Sequence, residues 1–275
     1  MTGTSTTSTR FTVSADGTRI AYERTGSGPA LVLVDGALCQ RSMGPARGLA
    51  RALEDHFTVH AYDRRGRGES DPGATAYAAE REVEDLNAVI DAAGGRAHVF
   101  GASSGAVLAL EAARAGAPID RLAVYEAPFI VDDTHTPNDP GLGEHVQHLV
   151  DSDRRSAAVK TFLRTVGMPG PMVALMPLFP VWRRMTAVAH TLPWDLALVL
   201  PHQQGDRLPE GHYARVAPET LVIAGGKSPA YLRNAQAAVA DALPAGCLVT
   251  LPGQTHMIKA KVTGPVVARH LLGLG

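Results

Sequence analysis

A serine lies between small residues where an apolar strand pattern meets a helical one. The stretch Gly101-Ala102-Ser103-Ser104-Gly105 follows AHVF and precedes AVLALEAARAG. It matches G-x-S-x-G, a pattern that holds a nucleophilic serine on a sharp turn between a strand and a helix. Small flanking residues allow the close approach that such a strained turn requires. Ser103 is therefore a candidate nucleophile, and an ordinary glycine-rich turn is the alternative.

The other residue types that often do chemistry show no comparable arrangement. The two cysteines, Cys39 and Cys247, are far apart and belong to no CxxC or Cys/His motif, which argues against a zinc site or a disulfide framework. The eleven histidines are scattered and no HExxH occurs. His145 and His148 indicate a solvated helix face rather than a ligand pair. We expect no metal site and a reducing, cytoplasmic environment, with Cys39 as a small buried filler.

Composition and charge limit the class of protein and its partners. The 275 residues are 45% hydrophobic and carry a formal net charge of -1. That length suits one large domain with an inserted subdomain. The near-neutral balance favours a small-molecule substrate over nucleic acid or a membrane, and no apolar run is long enough for a span. Residues 1–10 are polar, lack the apolar stretch of a secretory signal and are predicted to be a flexible tail.

Strand and helix patterns alternate along most of the chain. Residues 11–26 favour a β hairpin that turns at Asp16-Gly17. The later strand patterns are PALVLVDG, FTVHAYD, AHVFG, RLAVYEAP, ETLVIAGG and CLVTLPG. The helical patterns between and after them are RSMGPARGLARALEDH, EREVEDLNAVIDAAGG, SGAVLALEAARAG, SPAYLRNAQAAVADAL and PVVARHLLGL. This alternation predicts an α/β fold with a mostly parallel sheet covered by helices on both faces.

The alternation stops after Pro128. Residues 130–213 contain helical pieces broken by prolines and no convincing strand. We interpret this segment as an inserted helical cap, with residues 11–129 and 214–275 forming the α/β core. No internal repeat or long low-complexity linker separates the two parts, so they are expected to form one compact unit.

Four motifs in order resemble the α/β-hydrolase family over nearly the whole chain. The strand followed by Asp35-Gly36 resembles the family's oxyanion loop, and YDRRGRGESD resembles the loop after its fourth strand. GASSG resembles its nucleophile elbow, and GQTHM the loop that carries its catalytic histidine. The order of the motifs, with an insertion after the sixth strand, is more specific than any one of them. The resemblance implies an α/β-hydrolase fold and a reaction that needs no metal or organic cofactor.

The resemblance also implies a base and an acid for Ser103. His256, in GQTHM, occupies the position of the base that removes the serine proton. Family members usually carry an aspartate after the seventh strand, but this chain has Ser228 there, and a serine cannot balance an imidazolium. Haloalkane-dehalogenase-like relatives place the acid after the sixth strand, where this chain has Glu126. We predict Glu126 as the acid. An arginine-paired strand-end carboxylate is its alternative role, and Asp195 is a weaker candidate acid.

The predicted oxyanion hole consists of the backbone N–H groups of Ala37 and Ser104. Just before it, Asp35 replaces the histidine that is common in the family. An ionised carboxylate beside a developing oxyanion would oppose catalysis. The favoured interpretation is that Asp35 points away and ties down its own loop, by pairing with Arg41 or the Arg64–Arg65 pair. The alternative is that Asp35 is protonated or acts directly in the reaction.

The predicted cap is rich in methionine, leucine and aromatic residues. Such side chains can line an adaptable apolar pocket, or they can pack the cap onto the core. We expect the cap to favour a small hydrophobic substrate. The predicted substrate-binding residues are Leu38, Met176, Trp182 and Trp194.

A serine at the elbow separates this chain from the branches that use an aspartate there, the haloalkane dehalogenases and epoxide hydrolases. The sequence predicts a carboxylic-ester-hydrolase-like serine hydrolase with a Ser103–His256–Glu126 triad acting on an ester, lactone or thioester. A lyase or cofactor-free acid–base enzyme using the same site is one alternative, motivated by Asp35. A catalytically weak ligand-binding homologue is another, motivated by Ser228.

Overall fold

One mixed sheet forms the centre of the computed structural model, which describes residues 8–274. The eight strands in this range have the order β1-β2-β4-β3-β5-β6-β7-β8. They are β1 (Arg10–Val13), β2 (Arg19–Thr25), β3 (Ala30–Val34), β4 (Thr58–Tyr62), β5 (Ala97–Ala102), β6 (Ile119–Tyr125), β7 (Glu219–Gly225) and β8 (Gly246–Leu251). β2 runs antiparallel to β1 and β4, and all other neighbours are parallel. The carboxyl ends of β3, β5, β6 and β7 therefore share one edge.

The described residues form ten α helices. They are α1 (Ala46–Leu53), α2 (Ala79–Ala92), α3 (Ser104–Arg114), α4 (Leu142–Asp151), α5 (Arg155–Thr165), α6 (Gly170–Leu175), α7 (Val181–Ala187), α8 (Leu192–Val199), α9 (Ala230–Ala242) and α10 (Ala260–Leu271). The helices α1 and α10 share one apolar core, whereas α2, α3 and α9 contribute to the other. This arrangement confirms the prediction of a parallel sheet with helices on both faces.

Period-two alternation distributes the strand side chains between these two cores. Leu31 and Leu33 of β3 belong to the core shared with α1 and α10, whereas Val32 and Val34 belong to the other. Successive side chains of a strand point to opposite faces, so a strand covered on both faces is apolar throughout. The continuous apolar run ALVLV has this cause.

Two helix starts differ from those predicted. The structure begins α1 at Ala46 and not at Arg41, because Gly44 has a φ of 145°, outside the helical range. It begins α10 at Ala260, five residues before Pro265, which lies inside the helix. A Cβ added to Gly264 of α10 would lie 3.0 Å from the Ala52 Cβ of α1. Tertiary packing against α1 therefore outweighs the local cost of the proline.

The predicted cap segment, residues 130–213, contains α4 to α8 and contributes no strand to the described sheet. Its buried residues Val146, Val159 and Leu196 belong to the same apolar core as α3. Among the described residues no helix is both long and apolar enough to cross a bilayer. Of the predicted tail, residues 1–7 lie outside the described range, and Arg10 already belongs to β1.

We predict that Gly105→Ala destabilises the fold. A Cβ at Gly105 would lie 2.3 Å from the Val34 carbonyl oxygen and 2.6 Å from that of Asp35, and backbone atoms cannot yield as a flexible side chain does. Overpacking of this kind costs about 1–3 kcal/mol. Urea unfolding measures the change. Gly170→Ala is the control, since its added Cβ meets no atom within 4 Å; equal stability of the two variants would contradict the prediction.

Candidate active site

Ser103 is the single residue between β5 and α3, and its backbone is strained. Its φ and ψ are 55° and -124°, a combination that L residues rarely adopt. The Ser103 N–H donates to the Tyr125 carbonyl at the end of β6, at 2.9 Å. A Cβ on Gly36 would lie 2.9 Å from the Ser103 Cβ. The glycines thus let β3, β5 and α3 approach closely enough to hold the hydroxyl above the sheet edge.

The structure brings Ser103, His256 and Glu126 into one hydrogen-bonded chain. The Nε2 of His256 lies 3.2 Å from Ser103 Oγ, and its Nδ1 lies 2.8 Å from Glu126 Oε2. An imidazole with its hydrogen on Nδ1 donates to Glu126 and leaves Nε2 free to accept the serine proton. The His256 side chain is 41% exposed, whereas the Glu126 side chain is fully buried. The arrangement can therefore activate a hydroxyl that remains within reach of solvent.

The Glu126 carboxylate is held through both of its oxygens. Its second oxygen, Oε1, accepts the Gly225 N–H at the end of β7, at 2.7 Å. Ser228 is also buried, but its Oγ makes no hydrogen bond to any described residue. Glu126, and not Ser228, therefore contacts the imidazole.

Two further contacts fix the loop that carries His256. The Tyr125 hydroxyl donates to the Thr255 carbonyl at 2.6 Å, and the Lys227 N–H donates to the Gln254 carbonyl at 2.8 Å. These contacts tie the loop to the ends of β6 and β7. The imidazole position is thereby determined by the same sheet edge that carries Glu126.

The backbone N–H groups of Ala37 and Ser104 donate no hydrogen bond to another described residue. Ala37 follows Gly36, whose carbonyl accepts a hydrogen bond from Arg67 Nη1 at 2.7 Å. Ser104 begins α3, where unpaired N–H groups and the helix dipole favour negative charge. Both predicted oxyanion donors are thus available.

A buried ionic network contacts the residues at these two donors, through the Gly36 carbonyl and the Ser104 hydroxyl. Asp195 accepts hydrogen bonds from Ser104 Oγ at 2.7 Å, Arg64 at 2.8 Å and Arg67 at 2.6 Å. Arg64 also makes a two-point contact with Glu82, at 2.5 and 2.6 Å. The contacts of Asp195 include neither His256 nor Ser103, so Asp195 is not the carboxylate partner of the imidazole.

Arg67 has no role predicted from the sequence, and Asp195 is predicted only as a weaker candidate acid. The available signal was a run of arginines, DRRGRG, directly after a buried strand, together with one carboxylate in the apolar stretch LPWDLA of the cap segment. Buried arginines require charge partners. The pattern therefore indicated ion pairs, but it could not say which carboxylate belonged to which arginine.

Asp35 does not have the arginine partners predicted for it. Arg41 pairs with Asp63, and Arg64 donates to the Asp35 main-chain carbonyl rather than to its carboxylate. Burial raises the pKa of Asp35 to about 7, although the charge of Arg67 and the Ala46 N–H act in the opposite direction. The carboxyl group is buried, and its Oδ2 has no hydrogen-bond partner among the described residues. Near pH 7 the Asp35 carboxyl group is therefore present in both its neutral and its ionised form.

Cys39 shares this environment. A Cβ on Gly44 would lie 2.9 Å from Asp35 Oδ2 and 3.1 Å from Cys39 Sγ. Burial, reinforced by the charge of Asp35, raises the pKa of the Cys39 thiol to about 12. The thiol is therefore not ionised near neutral pH, and it has no nucleophilic character there.

The residues predicted to bind substrate lie in different surroundings. Leu38 is buried beside Ala37 with a φ of 61°, Trp182 is buried, and Met176 packs half-buried against the core. Trp194 stacks on Tyr77 with ring centroids 5.0 Å apart. It lines a groove of about 920 Å³ between α4 and α8 that neither Ser103 nor His256 lines. A substrate-binding role for these residues stays a prediction.

Glu111, His202 and His212 could hold a metal ion, since their ligand atoms lie within 4.8 Å of one another. The second oxygen of Glu111, Oε2, already accepts two hydrogen bonds from Arg114. Glu111 is seven residues after Ser104 on α3, or roughly 10 Å along the axis. An ion there would not reach Ser103.

Comparison with known proteins agrees with the fold. Residues 36–258 match the alpha/beta hydrolase family, and the chain belongs to this family. An alpha/beta hydrolase from Sphaerobacter thermophilus is 46% identical, with a TM-score of 0.87 over 94% of this chain and 99% of that one. The predicted family and fold class are thereby confirmed.

More distant structures share the fold. An enol-lactonase from Burkholderia xenovorans is 20% identical, with a TM-score of 0.68 over 96% of this chain and 98% of that one. An esterase from Rhodococcus sp. is 19% identical, with a TM-score of 0.67 over 98% and 100% of the two chains.

We predict that Asp35→Asn makes the stability less dependent on pH. With a folded pKa of about 7 and an ordinary value of 3.8, Asp35 stays protonated only in the folded state between these values. Its contribution to stability is therefore greatest below pH 4 and is lost as the pH rises towards 7. The free energy of unfolding of the variant, relative to that of the parent, should increase from pH 4 to pH 8 by up to about 4 kcal/mol.

Urea unfolding at several pH values measures this difference. Asp55→Asn, at an exposed position, is the control and should show no such growth. A difference between Asp35→Asn and the parent that does not change with pH would contradict the assigned pKa.

Proposed function

We propose that this chain is a serine hydrolase that acts on the ester, lactone or thioester carbonyl of a small hydrophobic substrate. The observation that carries the proposal is the hydrogen-bonded chain from Ser103 through His256 to the buried Glu126. Two proteins of the same fold are an esterase and an enol-lactonase, which is consistent with carbonyl chemistry at such a site.

The proposed reaction has two stages. The oxygen of Ser103 attacks the carbonyl carbon while His256 Nε2 accepts the hydroxyl proton, and Glu126 stabilises the resulting imidazolium. The Ala37 and Ser104 N–H groups stabilise the negative oxygen. The bond to the leaving group then breaks, and His256 returns the proton to that group. Water repeats the sequence on the acyl-serine and releases the acid.

A hydrophobic substrate is supported by the apolar character of the cap segment. Several large side chains there are exposed, namely Met172, Leu175, Leu178 and Phe179. Exposed apolar groups close together often belong to binding sites. We propose Leu38, Met176, Trp182 and Trp194 as further substrate contacts. Because Cys39 and Cys247 are both free thiols, we also propose a reducing, cytoplasmic location and a small molecule as the partner.

The lyase or acid–base alternative has less support than hydrolysis. It was motivated by Asp35, whose carboxyl group is buried beside Gly44 and Cys39 rather than next to Ser103. The two reactions differ in one intermediate, because only hydrolysis passes through an acyl-Ser103 species. Mass spectrometry of protein quenched during ester turnover distinguishes them.

We expect a fluorophosphonate probe to label Ser103 covalently, and Ser103→Ala to abolish the labelling. Ser103→Ala and His256→Ala should each lower kcat for 4-nitrophenyl butyrate by about 10⁴-fold or more while the fold survives. Peptide mass spectrometry and steady-state kinetics are the measurements. Labelling of parent protein at another residue, or full activity of Ser103→Ala, would refute the proposed nucleophile. Absence of labelling in folded parent protein would favour a ligand-binding homologue.

Glu126→Gln and Ser228→Ala distinguish the two positions considered for the acid. A glutamine amide would place a donor against either the Gly225 N–H or His256 Nδ1, so we expect kcat to fall by about 10²- to 10⁴-fold. Ser228→Ala should retain nearly parental kcat, since its hydroxyl has no partner among the described residues. Equal losses in the two variants would show that the acid is wrongly assigned.

A further inference from the structure

Asp195 connects the cap segment to both predicted halves of the oxyanion hole. It lies on α8, is 1% exposed, and uses its two oxygens differently. Oδ1 accepts from Ser104 Oγ and Arg64, whereas Oδ2 accepts from Arg67. Burial raises the pKa of Asp195, but the charges of Arg67 and Arg64 outweigh it, and the pKa lies below its ordinary value.

Arg67 connects Asp195 to the peptide that carries the Ala37 N–H, the first predicted oxyanion donor. Its Nη1 donates to the Gly36 carbonyl at 2.7 Å while its Nη2 donates to Asp195. The Gly36 carbonyl and the Ala37 N–H belong to one planar trans peptide, so they point in opposite directions. Holding the carbonyl therefore determines the direction of the Ala37 N–H, and the guanidinium charge polarises that peptide.

Ser104 carries the second predicted donor of the oxyanion hole. Its backbone N–H is the other predicted donor, and its side chain donates to Asp195 at 2.7 Å. The first residue of a helix has no intrahelical partner for its N–H. The side-chain contact therefore restrains the residue from which this donor projects.

Arg67 depends on Asp195 for its ion pair more than Arg64 does. Arg64 has Glu82 as a second carboxylate partner. The other described partners of Arg67 are neutral: the Thr191 hydroxyl and the carbonyls of Gly36 and Cys39. Without Asp195, the buried Arg67 guanidinium would make no ion pair with any described carboxylate, and it could not keep its present position at low cost.

We propose that Asp195 is a positioning residue for catalysis, which holds the Ala37 and Ser104 donors in place and makes a complete oxyanion hole depend on docking of α8. The proposal rests on the proposed function, because it concerns the transition state of that reaction. A cap segment that moved away would take the Asp195 carboxylate with it and loosen both donors.

Three changes test this role. Asp195→Asn removes the charge but keeps the shape. The double change Arg67→Met with Asp195→Leu removes both charges and leaves no unpaired ion, a replacement that proteins often tolerate. Ser104→Ala removes one hydroxyl, which donates to Asp195 and accepts from Arg64. The control is the pair Arg65 and Asp85, equally buried and joined at 2.7 Å, changed in the same two ways. Arg65 also contacts Asp16 at 3.1 Å, a second carboxylate that Arg67 does not have.

The measurements are melting temperature, active-site titration with the fluorophosphonate, and kcat and KM for 4-nitrophenyl butyrate between pH 5 and 9. We expect kcat per titrated site to fall about 10- to 100-fold in the Asp195 variants, less than the loss from deleting a donor outright. Ser104→Ala should show a fall of several-fold. KM and the shape of the pH profile should stay parental, since the contacts of His256 are untouched. The Arg65 and Asp85 variants should lose stability without loss of kcat.

Parental kcat per titrated site in the Asp195 variants that fold, or in Ser104→Ala if neither of them folds, would overturn the proposal. A loss of kcat matched by the Arg65 and Asp85 variants at equal stability would likewise reduce Asp195 to a structural role. Parent protein and Ser103→Ala are assayed alongside. If hydrolysis does not depend on Ser103, the proposed function itself fails, whatever the Asp195 variants do.

Discussion

The buried carboxylate of Glu126 is the group on which the candidate site depends. A fully buried charge is stable only where donors replace its lost water, and Glu126 has two, the Gly225 N–H and His256 Nδ1. One donor belongs to β7 and the other to the loop after β8. Satisfying this carboxylate therefore requires both elements to lie at the end of β6, which brings the imidazole to Ser103.

Three buried arginines give the same edge of the sheet a polar layer. Each guanidinium contacts carboxylates that are distant in the sequence: Arg65 with Asp16 and Asp85, Arg64 with Glu82 and Asp195, and Arg67 with Asp195. Removing one partner of such a pair is costly, so the pairs hold their elements in one arrangement. Directional ion pairs, in addition to apolar packing, therefore connect α2, α8 and the start of α3.

The parts of the site that sequence reasoning located are those with a local signal. The glycines around Ser103 and the loop of His256 are recognisable within five residues, because the constraint is a local backbone one. The absence of an acid at Ser228 was equally visible and directed attention to Glu126. Asp35 shows where this reasoning stops: its nearby arginines suggested a salt bridge, but Asp63 and Glu82 occupy those guanidinium groups.

By itself, the sequence determined the order of strands and helices, the parallel sheet and the turn that carries Ser103. These features follow from hydrophobic period and from glycine, which act over a few residues. Only the tertiary structure decided which carboxylate meets which cation, and where α10 begins. Arg67 and Asp195 are 128 residues apart, and no local pattern encodes a pairing that depends on the folded distances between competing charges.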